Sequence, residues 1–305
     1  MKNSNNYHIP VLLHEAIEAL NIKPDGVYID CTFGGGGHSK AILEKLNKEG
    51  KLIAFDQDAD AKNNLMDDVR LVFVPHNFRH IQKFLRLYKI DKVDGVLADL
   101  GVSSHQFDEG SRGFSTRFDG PLDMRMNVQQ ELTAKKILET YSAIKLQLIF
   151  QEFGQVTNSK TLAKFIVEKR NNIQLETIEQ FKAFISSLVK GNPNKYLAQV
   201  FQALRIEVND EVGALKEMLL QLPNVLNVGA RVAVITFHSL EDRVVKTFLK
   251  NGDFENVEDI NPFSTEVKKK RFVSISKKPI EANKEELKIN NRSRSAKLRG
   301  SEFLG

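Results

Sequence analysis

Three aspartates stand where apolar segments end, and four consecutive glycines follow the first of them. Asp30 closes Val27–Asp30, Asp56 follows Lys51–Phe55, and Asp99 closes Val93–Asp99. Glycines let a backbone approach a ligand closely, and a helix entered through them directs free N–H groups at that ligand. A carboxylate about twenty residues beyond such a loop can accept hydrogen bonds from ribose hydroxyls. The pattern therefore predicts a nucleotide-type ligand, the alternative being a tight turn that binds nothing.

Two residues extend this predicted site. Asp56 lies at the ribose spacing, although it could also be a helix cap or a surface charge; Asp58 is the expected cap of the following helix. Phe78 follows a third apolar segment, Arg70–His76. Its ring is placed either to pack on an adenine or to fill the core. We favour the ribose role for Asp56 and leave both roles of Phe78 open.

The elements that position these residues alternate between strand and helix, which predicts an α/β fold with a mostly parallel sheet and right-handed crossovers. The direction of strand addition should reverse between the first and fourth strands, where ligands bind. A fifth strand is expected over Ala230–Ser239, and Ser239 to Asp242 fits a capping box that starts the next helix. His238 then lies beside the cleft, as a packed, capping or catalytic residue.

A helical insertion interrupts this core. The predicted boundaries are 1–108 and 213–305 for the core and 109–212 for the insertion, whose segments show helical rather than strand periodicity. Asn192 and Pro193 read as the N-cap and first residue of one long helix, whose apolar positions continue through Leu222. A role in substrate recognition is favoured over a structural flap or an oligomer contact.

Composition is that of a globular protein, with 41% hydrophobic and 27% charged residues. Net charge is +5, yet Lys268 to Arg299 alone carries twelve Lys/Arg against three Glu. This basic tail predicts a polyanionic partner such as nucleic acid, or else a solvated segment. The single cysteine, Cys31, excludes an internal disulfide, and the first residues lack the apolar core of a signal peptide. A cytoplasmic location is expected.

Several long segments together resemble one bacterial family. They are Tyr28–Ser39, Asp94–Ser104, Arg112–Ser115, Gly120–Met126, Gln202–Asn209, Phe237–Arg243 and Arg294–Arg299. Their order and sequence are similar to those of the RsmH/MraW family, S-adenosylmethionine-dependent methyltransferases that act on N4 of a cytidine in the decoding region of small-subunit rRNA. The resemblance runs from His8 to Arg299. Cys31, where Gly or Ala is expected, and Asn290-Asn-Arg-Ser-Arg, where Asn-Pro-Arg-Ala-Arg is expected, depart from it.

The resemblance implies a class I (Rossmann-like) methyltransferase sheet with an inserted all-helical domain, and S-adenosyl-L-methionine as cofactor. It also implies a set of cofactor contacts, of which His38 and Gln106 come from the resemblance alone. They are Gly36, Gly37, His38, Asp56, Phe78, Asp99 and Gln106. The implied partner is the small-subunit (16S) rRNA, within the 30S subunit or a late precursor, without a membrane.

The chemistry of this reaction favours a hydrogen-bond acceptor beside the amine. The exocyclic amine of cytosine is a poor nucleophile because its lone pair is delocalised into the ring, so it must be oriented and its protons accepted. Asp99 is the candidate acceptor and His238 a weaker one. A sulfonium is a strong methyl donor, so no metal is expected. Arg112, Arg125, Arg205 and the tail cations are expected to hold RNA phosphates.

Three other functions remain open. A dinucleotide-dependent oxidoreductase would need G-x-G-x-x-G, but the third glycine position is Ser39. A non-catalytic RNA-binding factor would not need the intact acids. A DNA amino-methyltransferase would carry a Pro-Pro-aromatic motif where Leu100-Gly101-Val102 stands. The glycine spacing disfavours the first alternative, the intact acids and glycines the second, and the missing motif the third, so the rRNA methyltransferase is favoured.

Overall fold

The computed structural model describes residues 10–254 and 270–305, and it divides the chain into two compact units. The core unit comprises the described residues up to Gly101 together with Gly213–Gly305. The helical unit is Val102–Val212, against a predicted insertion of 109–212. His8, where the predicted first helix and the family resemblance begin, lies outside the described residues.

The core unit alternates strands with helices as the periodicity predicts, except that a 3-10 segment connects β2 to β3. Its elements in chain order are α1 (Leu13–Leu20), β1 (Val27–Asp30), α2 (Gly37–Lys45), β2 (Lys51–Phe55), β3 (Leu71–Val74), α3 (Ile81–Leu87), β4 (Val93–Asp99), α10 (Glu211–Val225), β5 (Leu226–Thr236), α11 (Ser239–Asn251), β6 (Phe272–Ser274), α12 (Lys284–Ile289) and β7 (Lys297–Phe303). Short 3-10 turns precede α3 and β7 and follow β2.

All seven strands form one sheet, in the order β3-β2-β1-β4-β5-β7-β6. β1 pairs in parallel with β2 on one side and with β4 on the other, so the predicted reversal at the first strand is confirmed. β7 alone runs antiparallel to its neighbours β5 and β6. The α/β fold class is therefore confirmed, and the carboxyl ends of β1, β2 and β4 share one edge.

The core of this unit is apolar on both faces of the central strands, as expected for a mostly parallel sheet covered by helices. Fully buried Leu52 and Leu97 in β2 and β4 pack in one cluster with Leu12, Ile42 and Leu298. Burial of such side chains contributes about 1.5–3 kcal/mol each to stability. This packing fixes the strand ends that carry the predicted site. Among the described residues, no helix combines the length and hydropathy needed to span a membrane.

β7 corrects the prediction of a basic tail. The segment that contains Lys297 and Arg299 is a strand between β5 and β6, and Leu298 within it is fully buried. Lys, Arg, Gly, Ser and Glu dominate its sequence, so it lacks the β-branched and aromatic residues that mark strands. Of the basic segment, Lys268 and Lys269 lie outside the described residues.

The helical unit contains helices and loops in its described residues, apart from one isolated bridge between Pro121 and Thr177. Its helices are α4 (Ser104–Asp108), α5 (Ala134–Thr140), α6 (Ala143–Glu152), α7 (Ser159–Lys169), α8 (Ile178–Ile185) and α9 (Pro193–Asn209). Leu138, Phe150, Leu162, Phe181 and Leu204 form the centre of its own hydrophobic core.

The predicted long helix from Pro193 through Leu222 is wrong, because it is two helices. α9 ends at Asn209, and Asp210 takes a left-handed conformation with φ of 46° before α10 begins. The apolar spacing continues across the break, so periodicity alone does not reveal it. The buried Asn209 side chain accepts a hydrogen bond from the Met126 amide and donates one to the Met124 carbonyl. Aspartate tolerates the left-handed region better than most residues.

Candidate active site

The glycine loop joins β1 to α2 and is shaped by close backbone packing. Gly36 has a φ of +75° immediately before α2 begins at Gly37. A Cβ on Gly37 would lie 2.2 Å from Cγ of Pro10, so only glycine fits. The amide of Gly34 donates to Oδ2 of Asp56 at 2.8 Å, and its carbonyl accepts from Nδ2 of Asn64 at 3.0 Å. These contacts hold the loop in one conformation, unlike a flexible turn.

Asp30 holds this loop in place. Its side chain is fully buried; Oδ2 accepts the hydroxyl of Ser39 at 2.6 Å, and Oδ1 accepts the amide of Thr32 at 3.0 Å. The Thr32 hydroxyl oxygen in turn accepts the amide of Asp99 at 2.7 Å. The sequence places Asp30 at the right edge but does not reveal these partners. Its contacts give it a structural role, and they connect β1, α2 and β4.

Asp56 faces the same edge from β2. Its two oxygens accept the amides of Gly34 and Asp58, each at 2.8 Å. Burial raises the pKa of Asp56 to about 6, although both amide hydrogen bonds oppose this shift. Asp58, not Asp56, caps the following turn through the amide of Asp60, as predicted. Asp56 is therefore a partly exposed carboxyl whose oxygens retain lone pairs for further donors.

Asp99 ends β4 close to His38 on α2. Nδ1 of His38 lies 3.7 Å from Oδ2 of Asp99, and the other ring nitrogen contacts the carbonyl of Val11 at 3.1 Å. Oδ1 of Asp99 is buried without a hydrogen-bond partner in the described part of the chain. Burial raises the pKa of Asp99 well above its usual value, and the nearby acids Asp30 and Glu241 raise it further.

His238 is the N-cap of α11, so the predicted capping box that starts at Ser239 is wrong by one residue. Its Nδ1 accepts the amide of Glu241 at 3.4 Å, whereas Ser239 is already helical. Nε2 lies 3.1 Å from Oε1 of Glu241, and Oε2 of that carboxyl accepts the amide of Phe237 at 2.8 Å. Both ring nitrogens of His238 thus face Glu241, and its catalytic role stays a prediction.

The polar groups at this edge fit a ligand that brings a positive charge and hydroxyl donors. Four acids lie here: Asp30, Asp56, Asp99 and Glu241. The first three stand at the ends of adjacent strands. A buried carboxyl oxygen without a partner is costly unless a donor or cation satisfies it. S-adenosylmethionine has ribose hydroxyls, an ammonium and a sulfonium. The residues present therefore fit the predicted cofactor.

Comparison with known sequences shows the family. A model of the MraW methylase family matches residues 5–304. The chain belongs to this family. This confirms the resemblance seen in the sequence, and membership of a methylase family agrees with the class I methyltransferase sheet and with S-adenosylmethionine as the methyl donor.

Individual relatives match over nearly the full length of both chains. The chain is 51% identical to a ribosomal RNA small subunit methyltransferase H of Parabacteroides distasonis, over 97% of each chain. It is 48% identical to the protein of that name from Christiangramia forsetii, over 98% of each. Among solved structures, an rRNA methylase from Streptococcus thermophilus is similar at 12% identity with a TM-score of 0.38, covering 96% of this chain and 94% of that one.

Two further predicted cofactor contacts differ in their surroundings. Phe78 is half-buried in the 3-10 turn after β3, where Asn77 caps the turn through the amide of Arg79. Gln106 belongs to the helical unit, where its side-chain oxygen accepts the amide of Ser103 at 3.0 Å in a capping box. The cofactor roles of both residues stay predictions.

The arginines expected to hold RNA phosphates are already bound within the helical unit. Arg112 donates to the carbonyls of Arg125 and Met126. Arg125 binds both oxygens of Asp123 at 2.7 Å and also the carbonyls of Val128 and Gln130. The third, Arg205, forms a bidentate ion pair at 2.8 and 2.9 Å with Glu211, the first residue of α10, which still belongs to the helical unit. These contacts give the three guanidinium groups roles in loop and helix structure, and their phosphate contacts stay predictions.

Proposed function

We propose that this protein transfers a methyl group from S-adenosylmethionine to the exocyclic N4 amine of one cytidine in the decoding region of small-subunit (16S) rRNA. The names of its relatives support an rRNA of the small subunit as substrate. The observation that carries the chemistry is Asp99, a carboxyl at the end of β4 with one buried oxygen that has no partner among the described residues. The specific base and position rest on the family resemblance.

The chain's own groups account for the binding of the methyl donor. Asp56 accepts the ribose hydroxyls with the lone pairs that its two amide contacts leave free. The glycine loop and the first turn of α2 place backbone N–H groups at the same edge. Phe78 provides an apolar surface for the adenine. When bound, the donor supplies an electrophilic methyl group next to a positive sulfur.

Asp99 orients the amine for attack. A carboxylate oxygen that accepts one amine proton favours a tetrahedral nitrogen with a localised lone pair, which is the reactive form. Most of the acceleration then comes from positioning. The target cytidine must be single-stranded or turned out of its helix to reach the sheet edge.

Recognition of the RNA is assigned to the helical unit. With Arg112, Arg125 and Arg205 bound internally, Arg117 is the better candidate: its side chain is 60% exposed and its guanidinium lies 5.0 Å from the centre of the Phe107 ring. Its ion pair with Asp108, at 3.6 Å, is exposed on both sides. Such a pair is weak enough to give way to a phosphate or a stacked base.

Methyl transfer to purified small subunits that lack the modification tests this function. The wild-type protein should transfer one methyl group per subunit, and digestion to nucleosides should give N4-methylated cytidine. Subunits that already carry the modification are the control. Binding of the subunits without any transfer would favour the non-catalytic RNA-binding factor, and methylation of another base would contradict the substrate assignment.

A further inference from the structure

The hydrogen bonds of His38 fix which of its ring nitrogens carries a proton. A backbone carbonyl can only accept a hydrogen bond, so the nitrogen facing the Val11 carbonyl at 3.1 Å, Nε2, must donate. In a neutral ring Nδ1 is then a bare acceptor. Burial lowers the pKa of His38, against the opposing effects of Asp30 and the Val11 contact, so the neutral ring is favoured in the ligand-free protein.

Nδ1 of this neutral ring faces a carboxyl. Oδ2 of Asp99 lies 3.7 Å away, a distance at which two bare acceptors would repel each other. A single proton between the two groups removes this conflict. Burial favours the proton on Asp99, because both side chains are then neutral. Of the acids that face the pair, Asp30 at the end of β1 raises the pKa of both groups, whereas Glu241 on α11, which also contacts His238, raises that of Asp99.

We propose that His38 and Asp99 share one proton, which Asp99 holds in the ligand-free protein and passes to His38 when a cationic methyl donor binds. The inference rests on the proposed function for the identity of that donor. A positive charge beside Asp99 favours its carboxylate form and so reverses the preference that burial creates. His38 would then be an imidazolium that stabilises the carboxylate.

This shared proton gives a reaction cycle whose charges balance. The amine nitrogen forms a bond to the methyl carbon while the carbon–sulfur bond breaks. The electron pair of the carbon–sulfur bond stays on sulfur. The surplus proton of the methylated amine passes to the Asp99 carboxylate, so that Asp99 and His38 then hold two protons between them. One proton leaves to solvent as the neutral thioether departs, which restores the starting state. His38 is a positioning residue here, since it acts through Asp99.

Two ligands that differ only in the charge on sulfur test the proposal: S-adenosylmethionine, a sulfonium, and S-adenosylhomocysteine, a neutral thioether. NMR of the wild-type protein carrying ¹⁵N-labelled histidine should show His38 protonated only at Nε2 when free or bound to the thioether. With the sulfonium, Nδ1 should become protonated as well. Calorimetry in buffers of different ionisation enthalpy should show no extra proton release for the sulfonium over the thioether.

The variant His38→Gln keeps an amide that can donate to Val11 but cannot accept the proton. It should release about one proton more with the sulfonium than with the thioether, because Asp99 must then ionise to solvent. His14→Gln, at an exposed position on α1, is the matched control and should behave like wild type. The proposal is overturned if the sulfonium leaves Nδ1 of wild-type His38 unprotonated, or if wild type itself releases that proton. Failure of both ligands to bind would instead count against the proposed function.

Discussion

Arg299 of β7 binds both carboxylate oxygens of Asp242 on α11, at 2.7 and 3.1 Å. Both side chains are largely buried, with 18% and 16% of their surfaces exposed. The pair joins an antiparallel strand to the helix that begins with His238. A cation that the sequence places in an RNA-binding tail therefore joins β7 to α11.

Replacement of this arginine should weaken the fold rather than RNA binding. Arg299→Ala leaves the largely buried Asp242 carboxylate without its partner, which should cost about 2 kcal/mol of unfolding free energy. Urea unfolding measures the loss. Arg294→Ala, which removes an exposed cation from the turn before β7, should leave stability unchanged. If Arg299→Ala kept full stability but bound small subunits more weakly, the tail interpretation would be correct after all.

The sequence predicts which residues share the sheet edge wherever this depends on position along a strand. Asp56 and Asp99 are found because a parallel sheet brings the carboxyl ends of its central strands to one edge, whatever the details of packing. The role of Asp30 cannot be found this way, because its partners Thr32 and Ser39 are chosen by loop geometry. The break at Asp210 and the strand β7 are missed for a similar reason, since tertiary packing decides both.

His38 shows the other limit of the sequence. Resemblance places it among the cofactor contacts, yet nothing in its neighbours reveals that its ring connects Val11 to Asp99. That relation depends on the packing of α2 beneath the segment before α1. Arg112, Arg125 and Arg205 show a related limit, because a sequence shows charge but not the internal acceptors that already engage it.

Two neighbouring glycines should respond differently to alanine. A Cβ on Gly37 would lie 2.2 Å from Pro10, whereas a Cβ on Gly35 would meet nothing within 4 Å. We expect Gly37→Ala to lose about 1–3 kcal/mol of unfolding free energy through overpacking. Gly35→Ala should be neutral or gain about 0.4–1 kcal/mol by restricting the unfolded chain. Equal losses in urea unfolding would show that the loop, not the Pro10 contact, requires glycine.

Cofactor affinity should rise with pH through the titration of Asp56. Its pKa in the ligand-free protein is about 6, and the ionised form is the better acceptor for ribose hydroxyls. Between pH 5 and 7 the ionised fraction grows about tenfold. The dissociation constant of S-adenosylhomocysteine, measured by calorimetry, should fall accordingly.

The variant Asp56→Asn isolates this titration. It should bind the thioether weakly and with a much flatter pH dependence, while Asp67→Asn, at an exposed position before β3, should keep the wild-type profile. An unchanged slope in Asp56→Asn would assign the pH dependence to another group.

Arg117 should contribute to RNA binding without supporting the fold. Arg117→Ala removes a 60% exposed cation, so the salt dependence of binding to small subunits should fall by about one ion. Arg125→Ala should instead lower stability, because its guanidinium binds Asp123 and two backbone carbonyls. Titrations at several salt concentrations, paired with urea unfolding, separate the two effects. A stable Arg117→Ala variant with an unchanged salt slope would exclude Arg117 from the RNA surface.

Asp99 variants should separate catalysis from folding. Asp99→Ala removes the acceptor and should lower methyl transfer by about 10²-fold or more.

The raised pKa of Asp99 also affects stability. In the folded, ligand-free protein Asp99 holds a proton which the unfolded chain releases above about pH 4, so wild-type stability should decline as pH rises from there. Asp99→Asn removes this contribution and should unfold at equal or higher urea concentration than wild type at pH 7.5. Single-turnover rates and urea midpoints at pH 5 and 7.5 measure both effects. Near-wild-type turnover by Asp99→Ala would show that another group accepts the amine proton.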